Sequence, residues 1–165
     1  MSMKRAGKLL LVEDEHVLRS LIAQFLRAEG YEIVEAADGS EGAEYYATQG
    51  PFDLVLLDLN LPIMSGVEVC RSIKERHPTQ AVIICSAAIL DSHISALVAM
   101  NVEQFLSKPY HPLDLLNLIT AELSRGNGSE RTERPSTSRT RVWRGGPSHS
   151  DATSPHTLVK SPILD

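Results

Sequence analysis

Five short β-branched or leucine-rich runs alternate with five helical patterns over residues 1–124, and no other feature of the chain restricts its fold as strongly. The runs cover residues 8–13, 31–36, 53–58, 81–86 and 104–107. Between the first two, Val17, Leu18, Leu21, Ile22, Phe25 and Leu26 form an apolar stripe of helical period, and Gly30 offers a left-handed cap. A second helix opens at Asp38 or Ser40, with Glu41 placed to complete a cap, and stops at Gly50-Pro51. A third covers roughly 65–76, ended by His77-Pro78. Asp91 is placed to cap a fourth carrying Ile94, Leu97, Val98 and Met100, and Pro112 suits the first turn of a fifth carrying Leu115, Leu116, Ile119 and Leu123. Strands and helices in this alternation predict an α/β fold, with a parallel sheet covered on both faces. Residues 54–57 and 82–85 are continuously apolar, as strands buried on both sides are.

Ligands of such sheets bind beyond the carboxyl ends of the strands. There the chain has Glu13-Asp14 after the first run, Asp58 at the third, Ser86 at the fourth and Lys108-Pro109 after the fifth. Crowded carboxylates resist joint ionisation, and a hard divalent cation with oxygen ligands, Mg²⁺, relieves that repulsion. A lysine and a hydroxyl nearby suit the oxygens of a transferring phosphoryl group, whose transfer asks for positioning and charge neutralisation. Each residue alone has an ordinary explanation: an acidic pair caps a helix, an aspartate ends a strand in a turn, a Lys-Pro step makes a loop, and a serine is a satisfied hydroxyl. Their convergence on one rim favours phosphoryl chemistry.

The 42% hydrophobic content supports one domain with a sizeable core. No apolar stretch is long enough to span a bilayer, and the charged residues at 13–16 interrupt any secretory core, so a cytoplasmic location is expected. Cys70 and Cys85 have neither metal-binding spacing nor a disulfide framework, and read as small buried apolar side chains. Residues 1–124 hold 9 Lys+Arg against 17 Asp+Glu, a formal charge of −8 that disfavours nucleic acid as a direct partner of this part.

With LLLVEDE at 9–15, DLVLLDLNLPIMSG at 53–66, VIICSA at 82–87 and FLSKP at 105–109, the chain resembles the receiver domain of two-component response regulators, chemotaxis-regulator-like in kind. The resemblance covers about residues 8–123. It implies a flavodoxin-like, doubly wound five-stranded parallel sheet of order 2-1-3-4-5 with five helices. It further implies that Asp58 takes a phosphoryl group from a histidine kinase or histidine phosphotransfer protein. Asp14, Asp58 and the backbone carbonyl of Asn60 would ligate Mg²⁺, with Glu13 helping directly or through water. Lys108 would pair with Asp58 and then with a phosphoryl oxygen. Ser86 would hydrogen-bond the phosphoryl group, and Phe105 would turn inward as Ser86 moves, altering the face formed by the fourth helix, fifth strand and fifth helix. The Lys108-Pro109 bond would be cis. Such a domain is a switch that acts on a downstream protein effector, with homodimerisation compatible. It is no enzyme beyond Mg²⁺-dependent self-phosphorylation and autodephosphorylation. Departures from the commonest pattern are Glu13 for a second Asp, Ser86 for Thr, Asn101 for a Gly and Phe105 for Tyr; each keeps the machinery.

Three other chemistries and one quieter role compete. An aspartyl-phosphate hydrolase of the haloacid-dehalogenase type would carry its nucleophile on the first strand with an acid two residues on; here the strand is the third and the residue is Asn60. A calcium loop fails at Pro62, and the acidic stretch Glu13–Glu15 would repel a flavin phosphate. A receiver-shaped docking module that is never phosphorylated is the closest rival.

Residues 125–165 are rich in Ser, Thr, Arg, Pro and Gly, carry +3, and read as a disordered or loosely docked tail. Arg131, Arg134, Arg139, Arg141 and Arg144 make it basic. Its apolar pairs are Val142-Trp143, Leu158-Val159 and Ile163-Leu164. Attraction to the acidic domain leads to the expectation that Trp143 docks on that domain or on a neighbouring copy, over the signalling face.

Overall fold

A computed structural model of the chain describes residues 7–126 and 141–144. The elements run in the order β1 (Lys8–Val12), α1 (His16–Ala28), β2 (Glu32–Ala36), α2 (Gly39–Gln49), β3 (Leu54–Leu57), α3 (Gly66–Arg76), β4 (Val82–Ser86), α4 (Asp91–Ala99), β5 (Gln104–Ser107), α5 (Pro112–Gly126) and β6 (Arg141–Arg144). The first five strands pair in parallel in the order β2-β1-β3-β4-β5, as expected. The sheet then gains a sixth strand that periodicity did not reveal: β6, from the tail, pairs in parallel with the outer edge of β5. Val142 and Trp143 lie in that strand, whereas Arg131, Arg134, Arg139 and the pairs at 158–159 and 163–164 lie outside the described residues.

Alternate residues of each strand feed two apolar cores. Leu10, Val12, Val55, Leu57, Ile84 and Phe105 pack with α2, α3 and α4 through Tyr46, Val69, Ile73 and Leu97. Leu9, Leu11, Leu54, Leu56, Ile83 and Leu106 pack with α1 and α5 through Ile22, Leu26, Leu115 and Ile119. The stripe expected on α1 is rotated: Ala23 joins Ile22 and Leu26 in the core, while Val17 and Leu21 remain more than half exposed. Among the described residues no helix is long and apolar enough to cross a membrane.

Local chemistry sets the boundaries. Asp38 accepts a hydrogen bond from the Glu41 N–H, and the Glu41 carboxylate accepts one from the Ala37 N–H, so the expected cap forms. Ser65 and Glu68 form a full capping box at α3. Asp91 does not cap α4: Leu90 holds that position and Asp91 is the first helical residue, where an acid still complements the helix dipole. Helix α5 runs two residues beyond 124, the expected end of the domain. Asn101 adopts the left-handed conformation at φ 59°.

Candidate functional site

Strands β1 and β3 are neighbours in the register Val12↔Leu57, so the residues that follow, Glu13 and Asp58, emerge side by side. Both backbones are fixed one step past their strands, because Glu13 N donates to Ala36 O and Asp58 N to Val12 O, each at 3.1 Å. Glu13 and Asp58 are buried while Asp14 is exposed, and one carboxylate oxygen from each of the three lies within 4.8 Å of the others. Lys108, at the end of β5, enters between them: its Nζ donates to Asp58 Oδ2 at 2.5 Å and to Glu13 Oε2 at 2.6 Å. Burial pushes the Glu13 carboxyl above the ordinary range, a rise that Lys108 opposes and Asp58 adds to. Burial alone would lower the Lys108 pKa, but its hydrogen bonds to Asp58 and Glu13 outweigh that and raise it.

The second oxygen of Asp58 accepts from the Asn60 N–H at 3.0 Å, curling the loop back on the strand end. Gly66 lets this loop close against α3: a Cβ there would stand 2.0 Å from the Asp58 carbonyl oxygen, with backbone rather than a movable side chain in its way. Ser86 is fully buried, and its hydroxyl accepts a hydrogen bond from Asn60 Nδ2 at 3.2 Å. Sequence reasoning had used only the main-chain carbonyl of Asn60. The signal that could have revealed its side chain is the adjacency of β3 and β4, which sets an amide just past one strand beside a hydroxyl at the end of the next. Arg19 was also missed; its guanidinium donates to the Glu13 carbonyl oxygen at 2.7 Å.

Lys108 N donates to Ser86 O at 3.0 Å, and the Lys108-Pro109 bond is cis, as the resemblance implies. Phe105 lies beneath the rim rather than on it, fully buried among the residues against α4.

Three carboxylates against one ammonium leave a local excess of negative charge, two of the carboxylates being withdrawn from water. Hard oxygen donors in that arrangement fit a small divalent cation; Lys108 holds the Asp58 carboxylate directly, and the Ser86 hydroxyl is tied to Asn60, whose main-chain N–H donates to Asp58. A family model for the response regulator receiver domain matches residues 9–120. The chain belongs to that family.

This receiver is 35% identical over 119 residues to the sensory transduction protein RegX3 of Mycolicibacterium smegmatis, a match covering 71% of this chain and 50% of that protein. It is 32% identical over 120 residues to the transcriptional regulatory protein ResD of Bacillus subtilis, covering 73% and 49%. The chain spans about half the length of these curated relatives. Among solved structures, a CheY-like receiver domain protein from Methanospirillum hungatei matches with TM-score 0.70 and 27% identity, covering 73% of this chain and 95% of that one. A receiver domain protein from Clostridium thermocellum matches with TM-score 0.65 and 28% identity, covering 73% and 97%. The receiver is a signalling-switch domain of two-component systems, and these matches do not favour the hydrolase.

Proposed function

We propose that the receiver, acting in the cytoplasm, takes a phosphoryl group on Asp58 from a phosphohistidine of a histidine kinase or histidine phosphotransfer protein. A carboxylate oxygen of Asp58 attacks phosphorus, an acyl-phosphate bond forms, and the phosphorus–nitrogen bond breaks as the imidazole leaves and takes a proton. Glu13, Asp14, Asp58 and the Asn60 main-chain carbonyl would hold Mg²⁺, which supplies charge neutralisation between carboxylates and phosphoryl oxygens. Lys108 binds one phosphoryl oxygen, and the Ser86 hydroxyl leaves Asn60 for another. Because Lys108 and Ser86 lie at the ends of β5 and β4, the change reaches the face made by α4, β5 and α5, where a downstream protein effector reads it. The acidic body argues against nucleic acid as the direct ligand of this domain.

The observation that carries this reading is the buried Asp58 carboxylate held by Lys108 beside two further acids. Acetyl phosphate with Mg²⁺ should add one labile acyl-phosphoryl group, lost in Asp58→Asn and absent with chelator. Labelling that persists in Asp58→Asn overturns the assignment, and failure to label the parent chain supports the unphosphorylated docking module.

A further inference from the structure

The family match ends at residue 120, and β6 lies wholly beyond it. Its register on β5 is Gln104↔Arg141, Phe105↔Val142, Leu106↔Trp143 and Ser107↔Arg144, so every β5 residue has a partner on its outer side. The inner side of β5 pairs with β4 up to Ser86↔Ser107, and the next residue is Lys108. Strand β5 is therefore held between the strand that ends in Ser86 and the strand drawn from the tail, and it delivers the ammonium that touches Asp58 and Glu13.

A four-residue strand at a sheet edge has one neighbour to hold its place; paired on both sides, its backbone is fixed more tightly. The end of β5 carries the most demanding placement in the site, one ammonium shared between two carboxylates. Val142 and Trp143 are of strand-favouring types, and the segment comes from a region of charge +3 facing a body of −8. The connection 127–140 is far longer than the 2–6 residues that usually join a helix to the next strand, roughly. Such a length leaves β6 held by its ladder rather than by its tether.

We propose that the outer edge of β5 is a strand-docking surface occupied by this chain's own Arg141–Arg144 segment, and that the docked strand positions Lys108 for phosphorylation of Asp58. The second half rests on the phosphoryl-acceptor reading above. Docking stiffens β5, the stiffened strand end holds Lys108 against Asp58, and less of its order remains to be acquired when the phosphoryl group arrives.

The test uses the full chain and the double variant Val142→Pro/Trp143→Pro, in which whichever of the two N–H groups faces β5 is removed. Hydrogen exchange at 104–107 should quicken in the variant, and its maximal labelling rate with acetyl phosphate should fall by about tenfold. The urea midpoint of the domain should fall only slightly, and its Mg²⁺ affinity should not weaken, so that neither unfolding nor a lost metal site accounts for the slower labelling. Val142→Ile/Trp143→Tyr, which keeps both N–H groups, should match the parent. Unchanged exchange in the proline variant overturns the docking, and protection that grows with protein concentration overturns it by assigning the strand to a second copy. Quickened exchange with an unchanged labelling rate overturns the positioning role. A parent chain that exchanges slowly at 104–107 yet never labels refutes the acceptor reading and the positioning role with it, while leaving the docked strand standing.

Discussion

Asn60 Nδ2 and Ser86 Oγ meet at 3.2 Å, joining the loop after β3 to the end of β4 inside the site. Because Ser86 is fully buried, its hydroxyl has little else to turn to in this state. Asn60→Ala should therefore cost about 1 kcal/mol of stability. In a double-mutant cycle with Ser86→Ala, urea unfolding should show a coupling of about 0.5–1.5 kcal/mol. Additive losses would mean that the contact carries no energy of its own.

Lys108 neutralises two buried carboxylates at once, and Lys108→Met leaves them to repel each other. In chelator the variant should lose about 3 kcal/mol of stability or more. Added Mg²⁺ should restore part of that loss and bind more tightly than to the parent, since no ammonium then competes for the same oxygens. Urea unfolding and calorimetric titration check both statements. Weaker Mg²⁺ binding in the variant would show that lysine and cation do not compete.

Lys74 is a buried cation whose ammonium donates to main-chain oxygens of Gln80 at 2.8 Å and of Pro78 and Asn101 at 3.4 Å. Burial lowers its pKa from 10.5. Between that lowered value and 10.5 the unfolded chain binds more protons than the folded one, so this residue makes stability rise with pH across the window. Lys108 has a raised pKa, and its opposing loss falls above the same window. Subtracting a Lys74→Met stability curve from that of the parent should expose the rise; a flat difference up to pH 10.5 would contradict it.

Cys70 and Cys85 are both buried, and burial pushes their thiols up to about 11 and about 12. Near neutral pH neither forms the reactive thiolate in the fold. Iodoacetamide should modify both only on unfolding, with mass spectrometry counting the adducts. Prompt modification of either in the native protein would place that thiol outside the core.

The sequence made the sheet legible because strands buried on both faces leave uninterrupted apolar runs, and the rim because its acids, serine and lysine each follow such a run. What it hid depends on contacts between distant segments. Lys74 reads as a solvated helix residue until the three carbonyls around it are brought together by the ends of α3 and α4. Gln80 reads as a loop residue, yet it accepts from Tyr46 Oη at 2.8 Å and donates to Phe52 O at 2.8 Å. Strand β6 was hidden for another reason: four residues with arginine at both ends show no periodicity, and they become a strand through pairing with β5. The rotation of α1 is likewise a packing result, since a six-residue stripe is wider than the strip of sheet it covers.

The register Val12↔Leu57 and the Lys108 contact to Asp58, made across 50 residues, tie the chemistry to the order in which the chain is assembled. A polypeptide emerging from the ribosome would own Asp58 well before it owned the lysine that neutralises it. Until the fifth strand has been synthesised and seated, the acids at the rim have no ammonium among them, and a phosphoryl donor would meet an unshielded negative surface. The rim is thus completed late and in one step, when the last of its side chains is seated beside the first.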